Sequence, residues 1–387
     1  MKLRLMAASA AGVLLLVGAA SAQETGTDTA TLRALGARVQ LHVGTAAIPN
    51  DLSDPAFAQI TADQFSVLTP GNEMKWQVVE PTQGVFDWTG ADNLVNFAEA
   101  HDARVRGHTL VWHNQLPTWL TTGVANGTIT NAQLLDLLHQ HITTEVSRYR
   151  GRIWQWDVVN EMMTDSNPSQ INPNDFWISH LGTGVLAEAF RWAHAADPGA
   201  LLCYNDYNIA GEDGSNAKFN AAFTTVKGLL AQGVPISCVG DQGHLDLQYG
   251  FNQILMAQDL QAFASLGLKV AITEADVRTF VETTDSNQTP IVSPTDTTTN
   301  HTANPAGADW YIGMLQSCLA VKACISFTVW GFADAESWIP GTFKGEGDAD
   351  LYDVNLNPKP QFTAVQQTLR LAPGVPRRDV PFFRGDE

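Results

Sequence analysis

The stretch Trp156-Asp157-Val158-Val159-Asn160-Glu161 opens as an apolar strand and closes by presenting an amide and a carboxylate side by side. Asp, Asn and Glu are depleted in strands, so a β-branched pair framed by them marks one of two things. Either the strand tip serves chemistry, or Asn160-Glu161 caps the helix that follows. The rest of the chain decides between them. From about Arg38 onward, short apolar runs alternate with longer amphipathic ones, the pattern of repeated βα units. Eight strands are expected, over residues 39–44, 65–70, 105–111, 153–160, 201–206, 236–242, 269–273 and 325–330. Helical patterns lie between them, among others over 131–149, 185–196, 215–232, 252–266 and 309–321. This alternation predicts a closed (β/α)₈ TIM barrel forming a single catalytic domain, with an open doubly wound sheet as the rival arrangement.

A barrel collects its reactive side chains at the C-terminal ends of the strands. The second strand runs into Asn72-Glu73-Met74-Lys75-Trp76, the third carries His108, Trp112 and His113, and the fourth ends in Asn160-Glu161. Asn205-Asp206-Tyr207-Asn208 closes the fifth, Gln242-Gly243-His244 the sixth, Glu274-Ala275-Asp276 the seventh and Trp330 the eighth, with Trp338 soon after. No Gly-rich phosphate loop follows the first strand, so a nucleotide-binding sheet has little support.

Composition narrows the partners. The chain begins with Lys2 and Arg4, continues through an apolar stretch from Leu5 to about Val17, and offers Ala20-Ser21-Ala22 for cleavage. This is the pattern of a secretory signal peptide over residues 1–22, too short for the roughly 20 apolar residues of a bilayer span. A secreted protein starting near Gln23 is expected, with the catalytic domain over 23–371 and a surface extension over 372–387. Loss of Lys2 and Arg4 with the leader takes the formal charge from −18 to −20. That charge repels nucleic acid and anionic membranes, so neither is an expected partner.

Four cysteines in an oxidising compartment allow three pairings. Cys318 and Cys324 bracket a short loop and are expected to pair, leaving Cys203 with Cys238. Asn126, Asn287 and Asn300 sit in glycosylation acceptor patterns, whereas Asn167 is blocked by Pro168. A loop over 280–308, rich in Thr, Ser, Asn, Asp and Pro, follows the seventh strand and borders the active face.

Glu161 and Glu274 each close an apolar strand, and strands four and seven face one another across a barrel mouth. Such a pair suits glycoside hydrolysis, in which one carboxyl protonates a leaving oxygen while the other attacks the sugar or activates water. The alternative for either is a buried ion-pair partner. Trp76, Trp112, Trp330 and Trp338 are expected on the rim, where flat apolar faces stack on sugars, while Trp154 and Trp192 are expected to fill the core. Asn72, Lys75, His108, Asn205 and Gln242 supply hydroxyl-reading groups. His108, His113 and His244 raise a zinc site, but the spacing of the first two puts them on opposite faces of a strand, so no metal is expected. His244 is instead expected to hydrogen-bond Glu274, with Asp276 orienting the imidazole.

With these residues assembled, the sequence resembles the family 10 glycoside hydrolases, retaining endo-β-1,4-xylanases of (β/α)₈ fold. The resemblance covers nearly the whole mature chain. It is carried by Asn72 to Trp76, Gly107 to His113, Trp156 to Glu161, Asn205 to Asn208, Gln242 to His244, Ile272 to Val277 and Thr328 to Gly331, in family order. It implies a secreted, monomeric, cofactor-independent enzyme acting on xylan and xylo-oligosaccharides. By the same matches Glu161 is the acid/base, Glu274 the nucleophile, and Asn160 the holder of the 2-hydroxyl. Asn72, Lys75, His108, Trp330 and Trp338 line the glycone subsites, and Asn205 and Tyr207 lie toward the aglycone. Trp112 and Gln242 complete the cleft, His244 and Asp276 tune the nucleophile, and the two cysteine pairs fit a pattern of the family. Many members carry a glutamate where this chain has Gly71, and a larger apolar residue where it has Ala275. The alternatives are a barrel hydrolase acting on cellulose or mixed-linkage glucan, and a catalytically silent polysaccharide-binding protein.

Overall fold

Parallel neighbours need a crossover of a dozen residues or more, usually a helix, and that requirement sets the layout of the chain. The computed structural model describes residues 30–212, 216–281 and 305–374. The leader, residues 282–304 of the long loop with Asn287 and Asn300, and the extension beyond 374 lie outside the described residues. The barrel strands are β1 (His42–Ala47), β2 (Val67–Pro70), β3 (Arg104–Val111), β4 (Gln155–Asn160), β5 (Leu201–Asp206), β6 (Cys238–Asp241), β7 (Lys269–Phe280) and β8 (Cys324–Val329). Each pairs in parallel with the next, and β8 returns to β1 with His42 opposite Ser326, which closes a (β/α)₈ TIM barrel.

Local chemistry places the helices. Asp54 accepts the amides of Ala56 and Phe57 just ahead of Pro55, starting Pro55–Gln64. Thr130 and Gln133 form a reciprocal capping box at the start of Asn131–Arg148, which buries Leu134, Leu138, Ile142 and Val146 along one stripe. Every residue of β1 and β4 is buried, because a barrel strand has helices on one side and the packed interior on the other. Two glycines are dictated by that interior. A Cβ at Gly107 would overlap the indole of Trp156, and one at Gly240 would overlap Asn205 and crowd Arg106. Among the described residues no helix is long and apolar enough to cross a membrane.

Four expectations are corrected. The first strand begins at His42 rather than 39, because Val39 caps the helix Leu32–Arg38 and Gln40 turns into the left-handed region at φ 54°. The seventh strand does not stop at Thr273. It continues to Phe280, where its far half pairs in parallel with His244–Asp246 and antiparallel with Glu346–Gly347. Cross-strand partners thus hold Glu274 and Asp276 within a strand that propensity alone would end. Trp76 is not on the rim. It is 3% exposed, stacks on His141 and Trp177 at 3.9 and 5.6 Å, and donates to Glu80 at 2.8 Å. Trp154 and Trp192 are only half-buried, beside Arg104 and His139 respectively.

The disulfides are Cys203–Cys238 and Cys318–Cys324. The first joins directly paired positions of β5 and β6, with Cα atoms 4.4 Å apart.

Candidate active site

The floor of the site is a charged network inside the barrel. Arg106 on β3, 1% exposed, forks onto Asp157 of β4, with Nε 2.9 Å from Oδ2 and an Nη2 contact to Oδ1. Asp157 also holds His108 Nδ1 at 3.0 Å, fixing the imidazole, whose ring meets Trp330 edge-on at 5.1 Å. A buried pair of this kind stands only because its geometry is bidentate and its remaining oxygens are used. Nη2 of Arg106 extends to Asn205 Oδ1 at 3.4 Å, which also accepts from Thr273 at 2.7 Å. Held at that end, Asn205 turns its amide nitrogen toward Glu274 Oε1 at 2.7 Å and Asn160 Oδ1 at 2.8 Å.

Above this floor the two carboxylates face a cleft of about 860 Å³. Glu161 follows β4 directly in the left-handed region at φ 55°, a conformation that costs a residue with a Cβ about 1–3 kcal/mol and persists where the surroundings over-determine it. Three contacts do so. Its amide donates to Asn205 O at 2.9 Å, and its side chain accepts from Trp112 Nε1 at 2.7 Å and Gln242 Nε2 at 2.9 Å. Gln242 also reaches Asn160 Oδ1 at 3.4 Å. One line of amides therefore runs from Glu161 through Gln242, Asn160 and Asn205 to Glu274.

Glu274 is 4% exposed. Burial pushes its carboxyl up. The hydrogen bond from His244, the charges of His108 and His244 and the Asn205 amide outweigh that and hold it down at about 2. His244 contacts a carboxylate through each nitrogen, Asp276 at 2.9 Å and Glu274 at 3.3 Å, so both nitrogens must carry protons. Burial opposes that charge, but Asp276 and Glu274 prevail and raise the imidazole to about 10. Trp338 Nε1 donates to the same Asp276 oxygen at 2.9 Å, tying a cleft tryptophan to the pair. Glu274 is thereby an ion at any working pH.

Lys75, 7% exposed, lies 5.0 Å from the centre of the Trp112 ring and 6.0 Å from that of Trp330, and donates to Asn72 at 3.2 Å. Burial lowers its amine, against the pull of Glu274, Glu161 and Glu73. Asn72, Lys75, His108, Trp112, Tyr207, Gln242, His244, Trp330 and Trp338 line the cleft with the two glutamates. Asn160, Asn205 and Asp276 are fully buried beneath it: Asn205 and Asp276 act on groups that line the cleft, while Asn160 accepts from Gln242 and Asn205 and leaves its amide nitrogen without a protein partner. Asn205, expected toward the aglycone, is buried and gives its amide nitrogen to Glu274 and Asn160. His113 turns away to Asp175 at 3.2 Å, and among the described residues no three His, Cys, Asp or Glu side chains are placed to hold a metal ion.

The family model for glycosyl hydrolase family 10 matches residues 31–368. The chain belongs to glycosyl hydrolase family 10. It is 37% identical over 360 residues to endo-1,4-β-xylanase B of Thermotoga neapolitana, covering 92% of this chain and 96% of that one. It is 36% identical over 342 residues to endo-1,4-β-xylanase A of Phanerodontia chrysosporium, covering 88% and 77%. Its structure resembles xylanase 10B from Thermotoga petrophila in complex with xylobiose, with a TM-score of 0.77 at 36% identity over 89% of this chain and 98% of that chain. The protein is a glycoside hydrolase.

The motifs did not reveal every residue of this family 10 site. Asp51, Tyr249, Arg278 and Glu336 also line the cleft; Asp51 and Glu336 sit in short 3-10 turns, Tyr249 in a turn and Arg278 in the far half of β7, where no periodicity marks them. Arg106 and Asp157 did leave a signal: each is a charge inside a strand, Arg106 between Val105 and Gly107 and Asp157 between Trp156 and Val158.

Proposed function

We propose that this glycoside hydrolase is a secreted endo-1,4-β-xylanase that cleaves internal bonds of xylan with retention of configuration. The observation that carries the mechanism is the unequal treatment of the two carboxyls facing one cleft. Glu274 is pinned as an ion by His244 and Asn205, the state a nucleophile needs. Glu161 is held by neutral indole and amide donors, which suits a group that gives a proton and takes it back. Glu274 attacks the anomeric carbon while Glu161 protonates the departing oxygen, and ionised Glu161 then activates the water that releases the glycosyl-enzyme. Asn160 keeps a buried amide nitrogen with no protein acceptor, a donor suited to the sugar 2-hydroxyl. Trp330 and Trp338 offer ring faces, and Lys75 and Asn72 polar contacts, on the glycone side.

The relatives named as endo-1,4-β-xylanases, and a neighbour whose structure holds xylobiose, support xylan as substrate. Secretion rests on the leader-like residues 1–22 and is checked by N-terminal sequencing of protein exported from its host, with Gln23 as the expected start. The deciding experiment compares xylan with carboxymethylcellulose and follows the anomers released by NMR. Xylan is expected to be cut, giving first the β-anomer, with Glu274→Ala inactive. Preference for the cellulose derivative would overturn the substrate, and initial release of the α-anomer would overturn retention. Retention also requires the two carboxyls about 5 to 5.5 Å apart.

A further inference from the structure

Against the ring of Tyr207, which lines the cleft, lies a buried lysine to which neither the motifs nor the mechanism gives a task. Lys218, the second residue of helix Ala217–Ala231, is 2% exposed. Its Nζ is shared by Asp165 at 2.9 Å and Asp206 at 3.0 Å, and stands 3.2 Å from the centre of the Tyr207 ring. Asp165 accepts the Tyr207 hydroxyl at 2.8 Å, so the ring is gripped at its face and its edge by one connected set of charges. Asp206, fully buried at the tip of β5, turns Oδ1 to the Tyr207 amide at 3.0 Å. It turns Oδ2 to the Met163 amide at 3.2 Å and to the Tyr204 hydroxyl. Met163 is two residues beyond Glu161.

A buried ammonium survives only where its surroundings replace water on every side. Here two carboxylates and one aromatic face do so, and they come from two chain segments, the one after Glu161 and the tip of β5, while the helix supplies the lysine. Remove the cation and Asp206 is an unpaired buried carboxylate. It would then take up a proton or admit water, and its hold on the Met163 and Tyr207 amides would loosen. The turn that follows Glu161 and the ring beside the cleft would slacken together.

We propose that Lys218 is a positioning residue for the aglycone half of the reaction, fixing the Tyr207 platform and, through Asp206, the backbone that aims Glu161 at the departing sugar oxygen. This rests on the xylanase reading of the cleft. It predicts dependence on the leaving group. Departure of a sugar needs both the platform and a well-aimed proton, whereas departure of a dinitrophenolate needs neither.

The test is kcat/KM for Lys218→Met on xylotetraose and on 2,4-dinitrophenyl β-xylobioside, since this parameter reports the bond-breaking step for both. Xylotetraose cleavage is expected to fall about 100-fold, the cost of a misplacement on the order of 1 Å. The aryl glycoside should stay within about twofold of wild type. Equal losses on both substrates, or no loss on xylotetraose, would overturn the proposal. If Lys218→Met does not fold, Asp165→Asn carries the test. It leaves the Lys218–Asp206 pair intact, its side chain is 61% exposed, and it should lower xylotetraose cleavage about tenfold while sparing the aryl glycoside. No such split in Asp165→Asn would refute the role. A wild-type enzyme that ignores xylotetraose would sink the substrate reading instead, before any variant is compared.

Discussion

Replacing His244 with glutamine removes the cation that both keeps Glu274 ionised and answers Asp276. A carboxyl held at about 2 against its ordinary 4.5 favours the ion by about 3 kcal/mol. The imidazole moves further, from 6.5 to about 10, because it serves Asp276 first and Glu274 second. The Glu274 figure is therefore the one that bears on the nucleophile. Burial works against ionisation, the His244 hydrogen bond is the largest contribution that favours it, and the His108 charge, the His244 charge and the Asn205 amide follow. In His244→Gln the burial stays while two of those four supports go, so the carboxyl should return to about 4.5 or above. The assay is kcat/KM against pH on 2,4-dinitrophenyl β-xylobioside, whose leaving group needs no proton from Glu161, so the acid limb reports Glu274 in the free enzyme. Wild type should be flat from pH 3 to 5, while the variant loses activity with a limb near pH 5. A variant limb that stays below about pH 3 would refute the assignment of His244 as the group that sets this charge.

Two predictions concern stability. Glu274, with its carboxyl lowered, contributes stability that is complete above 4.5 and is lost as pH falls to about 2. His244, with its imidazole raised, contributes stability that is complete below 6.5 and is lost as pH rises to about 10. The gap in Tm between wild type and His244→Gln should thus be widest between pH 4.5 and 6.5 and narrow on both sides; a gap independent of pH would contradict the linkage. For the disulfides, the separation of 35 residues between Cys203 and Cys238 predicts a cost of about 4 kcal/mol for the double alanine variant. The separation of 6 between Cys318 and Cys324 predicts about 2 kcal/mol. Urea unfolding of the two variants tests the order, and the reverse order would speak against a chain-entropy origin.

Much of the barrel was legible because every β-run after the first carries its chemistry at its end, and Asn160-Glu161 is one of seven such endings. The misplacements have physical reasons. Val39 and Gln40 are apolar and polar in strand-like alternation, yet the helix before them needs a C-terminal cap. Glu274 and Asp276 look like a strand end because propensity counts only local preference, while pairing partners more than 25 residues away in sequence, His244–Asp246 and Glu346–Gly347, keep the strand going. Trp76 has the same spelling as a rim tryptophan; only the partners His141 and Trp177, supplied by other elements, show it to be core. Asn205 reads as a substrate contact because its neighbour Tyr207 lines the cleft, but Asn205 lies within β5 and its amide nitrogen is taken up by Glu274 and Asn160, which other strands supply. Lys218 carried no signal at all, since one lysine near a helix start is ordinary until three distant groups converge on it.

The extended β7 has a bearing on how this enzyme is recombined with its relatives. Glu274 and Asp276 lie within a strand braced by His244–Asp246 on one side and Glu346–Gly347 on the other. The braces carry working parts of their own, for His244 is the counter-ion of Glu274 and Glu346 holds Arg278 at 2.7 Å. A chimera with its crossover between 247 and 268, or between 281 and 345, splits this set between parents. It would bring together halves of a hydrogen-bonded ribbon that had not been selected as a pair. Crossovers before residue 238 or after 347 would let the ribbon be inherited whole, and with it the His244–Glu274 pair.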